Sequence, residues 1–406
     1  MEHTYFDKQI DRSAGSGSYS TKWMALKQRY PEFERQDVIP MWIADMDFLC
    51  PPQVVEAVAK RAAHGIYGYT DSSIVKKFLA AAADWSARRY DWEIKGEWGV
   101  FTPGVLLAVT AVVQEFTAPG DGIIIQPPVY YPFQDIIRNN GRRPRENMLV
   151  QDEGGQYQIN FENLEELAEE ETTKLMILCN PHNPVGRVWK EWELLEIARI
   201  CRKNDILLIS DEIHADFVRK DFHHIPIASL DQYVLEHSVT CYAPTKTFNL
   251  AGLGAAAAFV PNGGIMERLK KRIAMNRLPA SNVFGPLAGY VAYTECERYA
   301  DEVEGYICGN IDLMSEMVSG THGITMTKAE GTYFAWLNMK ELGLGQEQLY
   351  EFLYQKAGLA TDFGSWFGIG GEGYTRLNLA CPRKTVIQAA ERLRVAVDSL
   401  QKTGLE

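Results

Sequence analysis

The spacing of apolar residues along the chain predicts helices that alternate with short, buried strands. After Pro51 and Pro52, apolar residues recur every three or four positions over 53–64 and stop at Gly65, which is typical of a helix. Further helices are predicted over 74–89, 106–116 and 191–203, and uniformly apolar runs predict strands over 122–126, 174–179, 205–210, 238–242 and 255–260. Strands without polar alternation favour an α/β fold with a mainly parallel central sheet and helices on both faces.

The pattern changes after residue 284 and predicts a second, smaller unit. A long helical stretch is followed by apolar segments over 331–337 and 374–379, a helix over 346–356 and a terminal helix over 384–400. We interpret 51–284 as a large domain and 285–406 as a small α+β domain. Residues 1–50 lack strong periodicity and include the Gly-Ser run of 15–18, so we expect an N-terminal arm that joins the small domain.

Composition and charge narrow the class of partner. The 406 residues are 46% hydrophobic and 23% charged, which is an ordinary globular composition. The net charge of −12 argues against a nucleic-acid surface, so a small molecule is the expected partner. No apolar run is long enough to cross a bilayer, and the seven cysteines form no C-x-x-C pair. We therefore expect free thiols, no membrane contact and a cytoplasmic protein.

Three polar clusters follow predicted strands, where ligands bind in open α/β sheets. Asp211 ends the strand of I-S-D-E-I-H, and on its own it is most simply a turn or capping residue. Lys246 in A-P-T-K-T-F-N is either a surface lysine or, if desolvated, a nucleophilic amine. Asn183 in N-P-H-N-P-V-G is either part of a rigid turn or an amide donor toward a ligand.

Taken in this order, the three motifs resemble those of fold-type I enzymes that depend on pyridoxal 5'-phosphate (PLP). Within the class I and II aminotransferase family, they resemble most the cystathionine β-lyase and cysteine desulfhydrase branch, the carbon–sulfur lyases. The likeness runs from W-I-A-D-M-D-F at 42–48 to Y-T-R-L-N-L-A-C-P at 374–382. It implies the fold-type I architecture and a PLP cofactor.

The resemblance also implies roles for the residues around the cofactor ring. Lys246 would bind PLP as a Schiff base and later remove the substrate Cα proton. Asp211 would hold the ring nitrogen protonated, and Asn183 would donate to the phenolic oxygen. Tyr130, rather than Tyr131, would stack on the ring, and either Lys246 or Tyr130 would protonate a departing thiolate.

The phosphate and substrate ends of the site are implied in the same way. Backbone N–H groups of Gly104 and Val105 at a helix start, with the Thr245 hydroxyl, would bind the phosphate. Tyr69 would reach the phosphate of a neighbouring subunit, which implies a homodimer with shared sites. Arg376 would bind the substrate carboxylate through its planar fork, although an ordinary ion pair is the simpler reading of an isolated arginine. The residues expected to surround the substrate are Ala44, Asp45, Tyr67, Tyr69, Phe363 and Trp366.

The chain departs from the usual aminotransferase pattern at three places. His214 stands three residues after Asp211, where a tyrosine is usual; it too is assigned to the cofactor site. Ala243 replaces a serine, and 247–254 contains no arginine. These departures favour a carbon–sulfur β-lyase that converts L-cystathionine or a related cysteine S-conjugate to a thiol, pyruvate and ammonia. An aminotransferase and a PLP-binding regulatory module remain as alternatives, and the preferred substrate stays open.

Two further patterns are set aside. The G-x-G-x-x-G run at 368–373 precedes a strand instead of following one, so we predict a loop and not a dinucleotide site. His182, His214, His223 and His224 lack the spacing of zinc ligands, and no metal site is expected.

Overall fold

The computed structural model describes residues 4–12, 35, 37–276 and 281–403, so the Gly-Ser run predicted in the arm lies outside the described residues. The strands are β1 (Ile39–Pro40), β2 (Gly99–Thr102), β3 (Gly122–Ile125), β4 (Arg143–Glu146), β5 (Val150–Gln151), β6 (Tyr157–Gln158), β7 (Thr173–Cys179), β8 (Leu207–Asp211), β9 (Ser238–Tyr242), β10 (Ala256–Phe259), β11 (Thr325–Met326), β12 (Phe334–Asn338), β13 (Leu359–Ala360), β14 (Asp362–Phe363) and β15 (Tyr374–Asn378). The α-helices are α1 (Thr4–Asp7), α2 (Pro52–Ala63), α3 (Ser72–Tyr90), α4 (Val105–Phe116), α5 (Pro132–Asn139), α6 (Phe161–Glu169), α7 (Glu191–Lys203), α8 (Ile227–Leu230), α9 (Gln232–Glu236), α10 (Pro244–Thr247), α11 (Gly263–Met275), α12 (Gly285–Glu295), α13 (Glu297–Ser319), α14 (Gln346–Glu351) and α15 (Arg383–Thr403). A π-helical turn, Phe352–Lys356, extends α14.

The central sheet confirms the predicted mainly parallel architecture. Within the described residues its seven strands lie in the order β2-β10-β9-β8-β7-β3-β4. The five strands from β9 to β4 are parallel, whereas β10 runs antiparallel to both β9 and β2. β10 can reverse because the short segment between β9 and β10 contains no full crossover helix.

Helices cover both faces of the sheet, as the uniformly apolar strands predict. Alternate strand residues such as Ile124 and Leu178 point into one core, where Leu194 of α7 packs. Their neighbours, such as Ile125 and Ile177, join Val109 of α4 in the other core. With both faces buried, the loops at the carboxyl ends of the parallel strands are left to form a site.

The sequence prediction missed two strands of this sheet, each for a physical reason. β2 is only four residues long and carries no alternation that marks it. β4 has the sequence R-P-R-E, which is charged and contains a proline, but it lies at the edge of the sheet, where such residues are tolerated. Outside the sheet, the G-x-G-x-x-G run at 368–373 is a loop before β15, as predicted.

The pairing of β1 with β13 connects the N-terminal segment to the C-terminal part of the chain. Within the described residues, β11, β12, β15 and β14 form a separate sheet, and β1 pairs in parallel with β13. Tyr293 of α12 stacks on Phe78 of α3, with ring centroids 6.0 Å apart, so α12 packs on the large unit. The division at 50/51 and 284/285 stays a prediction. No helix in the described part of the chain combines the length and apolar character that crossing a bilayer requires.

Candidate active site

Asp211 and Lys246 lie at the same edge of the sheet, at the ends of two parallel strands. Asp211 is the last residue of β8, and the strand register places it beside Cys179 of β7 and Cys241 of β9. Lys246 follows β9 within the single turn of α10. The structure therefore brings together two of the predicted catalytic residues, at the place where the strand pattern indicates.

The Lys246 amine lies in an environment that disfavours its charged form. Its Nζ donates a hydrogen bond of 2.8 Å to the carbonyl oxygen of Ala44. Burial lowers the pKa of Lys246 to about 8, and the positive charge of Arg376 acts in the same direction. Asp45 and Asp211 oppose this shift. A lysine with such a pKa is available as a neutral nucleophile at only mildly alkaline pH.

Asp211 is buried and has no arginine or lysine bonded to it in the described chain. Its Oδ1 accepts a hydrogen bond of 3.3 Å from the backbone N–H of Ile213. Burial raises the pKa of Asp211 to about 7, and the charge of Glu212 raises it further, whereas Lys246 lowers it. A cationic group brought to this carboxylate would favour its ionised form.

Arg376 is almost fully buried and links several parts of the site. Its Nη1 donates to Asn183 Oδ1 at 2.7 Å, and its Nη2 donates to the Trp42 carbonyl at 3.0 Å and pairs with Asp362. The guanidinium carbon lies 4.0 Å from the ring centroid of Phe334. Because Asn183 Oδ1 already accepts from Arg376, the amide nitrogen of Asn183 is the group left to donate to a ligand.

Aromatic and histidine side chains surround this polar centre. Burial raises the pKa of Tyr130, and the charges of Arg376 and Asp211 also act on its hydroxyl. Tyr131 instead packs on Phe367, with ring centroids 5.6 Å apart. His214 is enclosed by the rings of Tyr333 and Phe334, at 5.2 and 5.5 Å; burial, Lys246 and Arg376 keep its pKa well below the usual value. This environment favours the neutral imidazole of His214.

The predicted phosphate end is built from the start of a helix. α4 begins at Val105, and the preceding Gly104 has an extended backbone with open space where a Cβ would lie. The first N–H groups of α4 have no partner within the helix and can bind an anion. Thr245 lies in α10, one residue before Lys246. Tyr69 is fully exposed, so this single chain does not bring it into the cluster.

The sequence prediction missed the side chains that hold the backbone of 42–48 in the site. Asn378 Nδ2 donates to the carbonyls of Ile43 and Asp45, and Tyr333 donates to that of Ala44. Asn249 Nδ2 donates to the carbonyls of Met46 and Phe48. Asn249 and Asn378 lie inside the sequence motifs, so the sequence analysis could have identified them. Tyr333, and Asp362 that pairs with Arg376, lie in no motif that marks them as site residues. Ala44 contributes to the site through its carbonyl oxygen.

No group of three or more His, Cys, Asp or Glu side chains with metal-binding geometry occurs among the described residues. His182 donates or accepts a hydrogen bond of 3.0 Å with the Pro128 carbonyl, and burial lowers its pKa to about 4.

The sequence and the fold of the chain are similar to those of known proteins. A sequence model of the family described as "Aminotransferase class I and II" matches residues 36–393. The chain is 36% identical to cystathionine beta-lyase PatB of Bacillus subtilis, over 97% of this chain and 99% of PatB. Cystalysin from Treponema denticola, whose crystal structure contains a pyridoxal 5'-phosphate cofactor, is 35% identical with a TM-score of 0.92, over 97% and 99% of the two chains. A PLP-bound putative aminotransferase from Clostridium difficile is 37% identical with a TM-score of 0.91, again over 97% and 99%.

Proposed function

The chain belongs to the class I and II aminotransferase family, and from this premise we propose that it is a PLP-dependent carbon–sulfur β-lyase. Its substrate is L-cystathionine or a related cysteine S-conjugate, and its products are a thiol, pyruvate and ammonia. The observation that carries the proposal is that Asp211 and Arg376 both lie close enough to Lys246 for their charges to act on its amine. The likeness to PatB, a named cystathionine β-lyase, supports the lyase over other reactions of the family.

The residues present fit the cofactor. The buried Asp211 carboxylate suits a protonated ring nitrogen, because such a cation would lower the raised pKa of this carboxylate. The free amide nitrogen of Asn183 suits the phenolic oxygen, and the start of α4 with Thr245 suits the phosphate. Lys246, with its lowered pKa, is the amine that would hold the cofactor covalently. When bound, PLP supplies an electron sink for the negative charge that develops at Cα.

Protein side chains bind the substrate and transfer the protons. Arg376 binds the substrate carboxylate, for which a buried, prepositioned guanidinium is suited. Lys246, once its amine is free, takes the proton from Cα. Either Lys246, which then carries the proton taken from Cα, or Tyr130 donates a proton to the leaving thiolate. Burial keeps the Tyr130 hydroxyl protonated but makes it the weaker acid of the two. The Ala44 carbonyl accepts a hydrogen bond from the Lys246 amine when that amine is free.

The test is an assay of the PLP-loaded protein with L-cystathionine and no added keto acid. Pyruvate and free thiol in equal amounts are expected, and the Lys246→Ala variant should form neither. If product appears only after a keto acid is supplied and a new amino acid accumulates, the protein is an aminotransferase. If the protein binds PLP but turns over no thioether or amino acid, the regulatory alternative replaces the lyase.

We also infer a homodimer with shared sites in the cytoplasm. The fully exposed Tyr69, together with Ile66 and Tyr67, forms an exposed aromatic and apolar tip that supports contact with a second copy. The seven cysteines are all free, which supports a reducing compartment.

A further inference from the structure

A buried carboxylate behind the active site binds three separate side-chain donors. Asp216 is nearly inaccessible to solvent, and its Oδ1 accepts from Trp85 Nε1 at 3.0 Å and from Tyr90 OH at 2.6 Å. Its Oδ2 accepts from Thr247 Oγ1 at 2.5 Å. Arg89 Nε lies 3.8 Å from Oδ1 and balances the charge. Since Trp85 and Tyr90 belong to α3, this carboxylate connects α3 to the residue that follows Lys246.

The turn that carries Lys246 depends on such a connection. α10 is only four residues long, and a helix this short does not hold its own conformation. Its N-cap residue, Ala243, makes no side-chain capping bond. Among the described residues, two side chains of 243–247 donate hydrogen bonds. Lys246 donates to the Ala44 carbonyl, and Thr247 donates to Asp216. The first of these is lost whenever the lysine reacts, so the second is the permanent anchor.

We propose that Asp216 and Thr247 are positioning residues for Lys246. Their hydrogen bond fixes α10 against α3. It thereby holds the lysine amine near the Ala44 carbonyl and the Asp211 carboxylate. Neither side chain is assigned a contact with substrate or cofactor; they act through the backbone of the turn. The part of this role that concerns turnover rests on the proposed function, whereas the position of the amine in the apoprotein does not.

The chain offers a matched set of variants. Thr247→Val keeps the shape of the side chain and removes only the donor to Oδ2, whereas Thr247→Ser keeps that donor. Tyr90→Phe removes a hydroxyl donor from the other oxygen of the same carboxylate without touching α10. If loss of any donor merely loosens the network, Thr247→Val and Tyr90→Phe have equal effects.

Two readouts are measured on each protein. Competitive acetylation of the apoprotein across pH, followed by mass spectrometry, gives the pKa and reactivity of Lys246. Steady-state kinetics of the PLP-loaded protein give kcat and KM separately. For Thr247→Val we expect changed acetylation of Lys246 and a kcat lower by about tenfold with little change in KM, because a small misplacement of a reacting group is costly. Thr247→Ser should behave as wild type in both, and Tyr90→Phe should leave Lys246 acetylation and kcat near wild type.

The outcomes separate this inference from the proposed function. If Lys246 in Thr247→Val is acetylated as in wild type, the positioning role is refuted, whatever the turnover. Equal changes in Thr247→Val and Tyr90→Phe also overturn it. If wild-type protein shows no lyase activity, the proposed function fails, but acetylation of the apoproteins still decides the positioning role.

Discussion

Replacing Lys246 with methionine should stabilise the apoprotein near neutral pH and lose that advantage as the pH rises. The native environment lowers the pKa of Lys246 from 10.5 to about 8. Below pH 8 the amine is protonated in both the folded and the unfolded chain, and the folded chain bears the full cost of burying the charge. Between pH 8 and 10.5 the folded protein loses its proton first, so this cost is progressively relieved.

The size of the effect follows from the same shift. A fall in pKa from 10.5 to about 8 corresponds to a destabilisation of about 3 kcal/mol at neutral pH. Methionine fills a similar volume and carries no charge, but it loses the hydrogen bond to the Ala44 carbonyl, which contributes about 1 kcal/mol. That carbonyl keeps the hydrogen bond from Tyr333, so it is not left unpaired. Lys246→Met should therefore be about 2 kcal/mol more stable than wild type at pH 7.

The assay is urea unfolding of both apoproteins at several pH values from 7 to 10.5. The difference in the free energy of unfolding should shrink steadily over this range and reverse in sign near its upper end. Lys384→Met, which replaces an exposed lysine of α15, serves as the control and should show no such dependence. A difference for Lys246→Met that is constant with pH, or that grows, would refute the assignment of a charge-disfavouring environment to this lysine.

Three further predictions concern the loaded protein. Arg376→Lys cannot keep all the hydrogen bonds of the guanidinium, so kcat/KM should fall about 10- to 100-fold in steady-state assays, whereas Arg383→Lys, whose side chain bonds Tyr306 and Asn310 of α13, should not lower it. Asp211→Asn removes the charge opposite the ring nitrogen, and pyruvate release should fall by about 100-fold, as for other single electrostatic contacts; near-normal release would exclude this role. Tyr69→Phe should weaken PLP binding about tenfold in fluorescence titrations if the hydroxyl reaches a phosphate; an affinity equal to that of wild type would contradict a shared site.

The sequence predicted the parts of the molecule that depend on local pattern. β9 begins and ends where its apolar run does, and α7 matches its predicted bounds. Asp211 and Lys246 could be placed together because both lie at the carboxyl ends of predicted parallel strands. Such ends meet at one edge of the sheet. β4 could not be predicted, because this edge strand forms by backbone pairing with β3 and has no apolar residues that mark it. Asp362 was missed because its role exists only through its pairing with Arg376 across β14 and β15.

The two substituted positions of the aminotransferase pattern gain a structural meaning from their surroundings. Where a serine is usual, Ala243 leaves the start of α10 without a side-chain cap, and the bond from Thr247 to Asp216 anchors the other end of that turn. Where a tyrosine is usual, His214 is buried against two aromatic rings, and burial and the neighbouring cations keep its pKa well below the usual value. A phenolic donor is thereby replaced by an imidazole whose Nδ1 has no protein partner among the described residues. The departures thus change the side chains around Lys246, whereas Asp211 and Lys246 keep their places at the ends of β8 and β9.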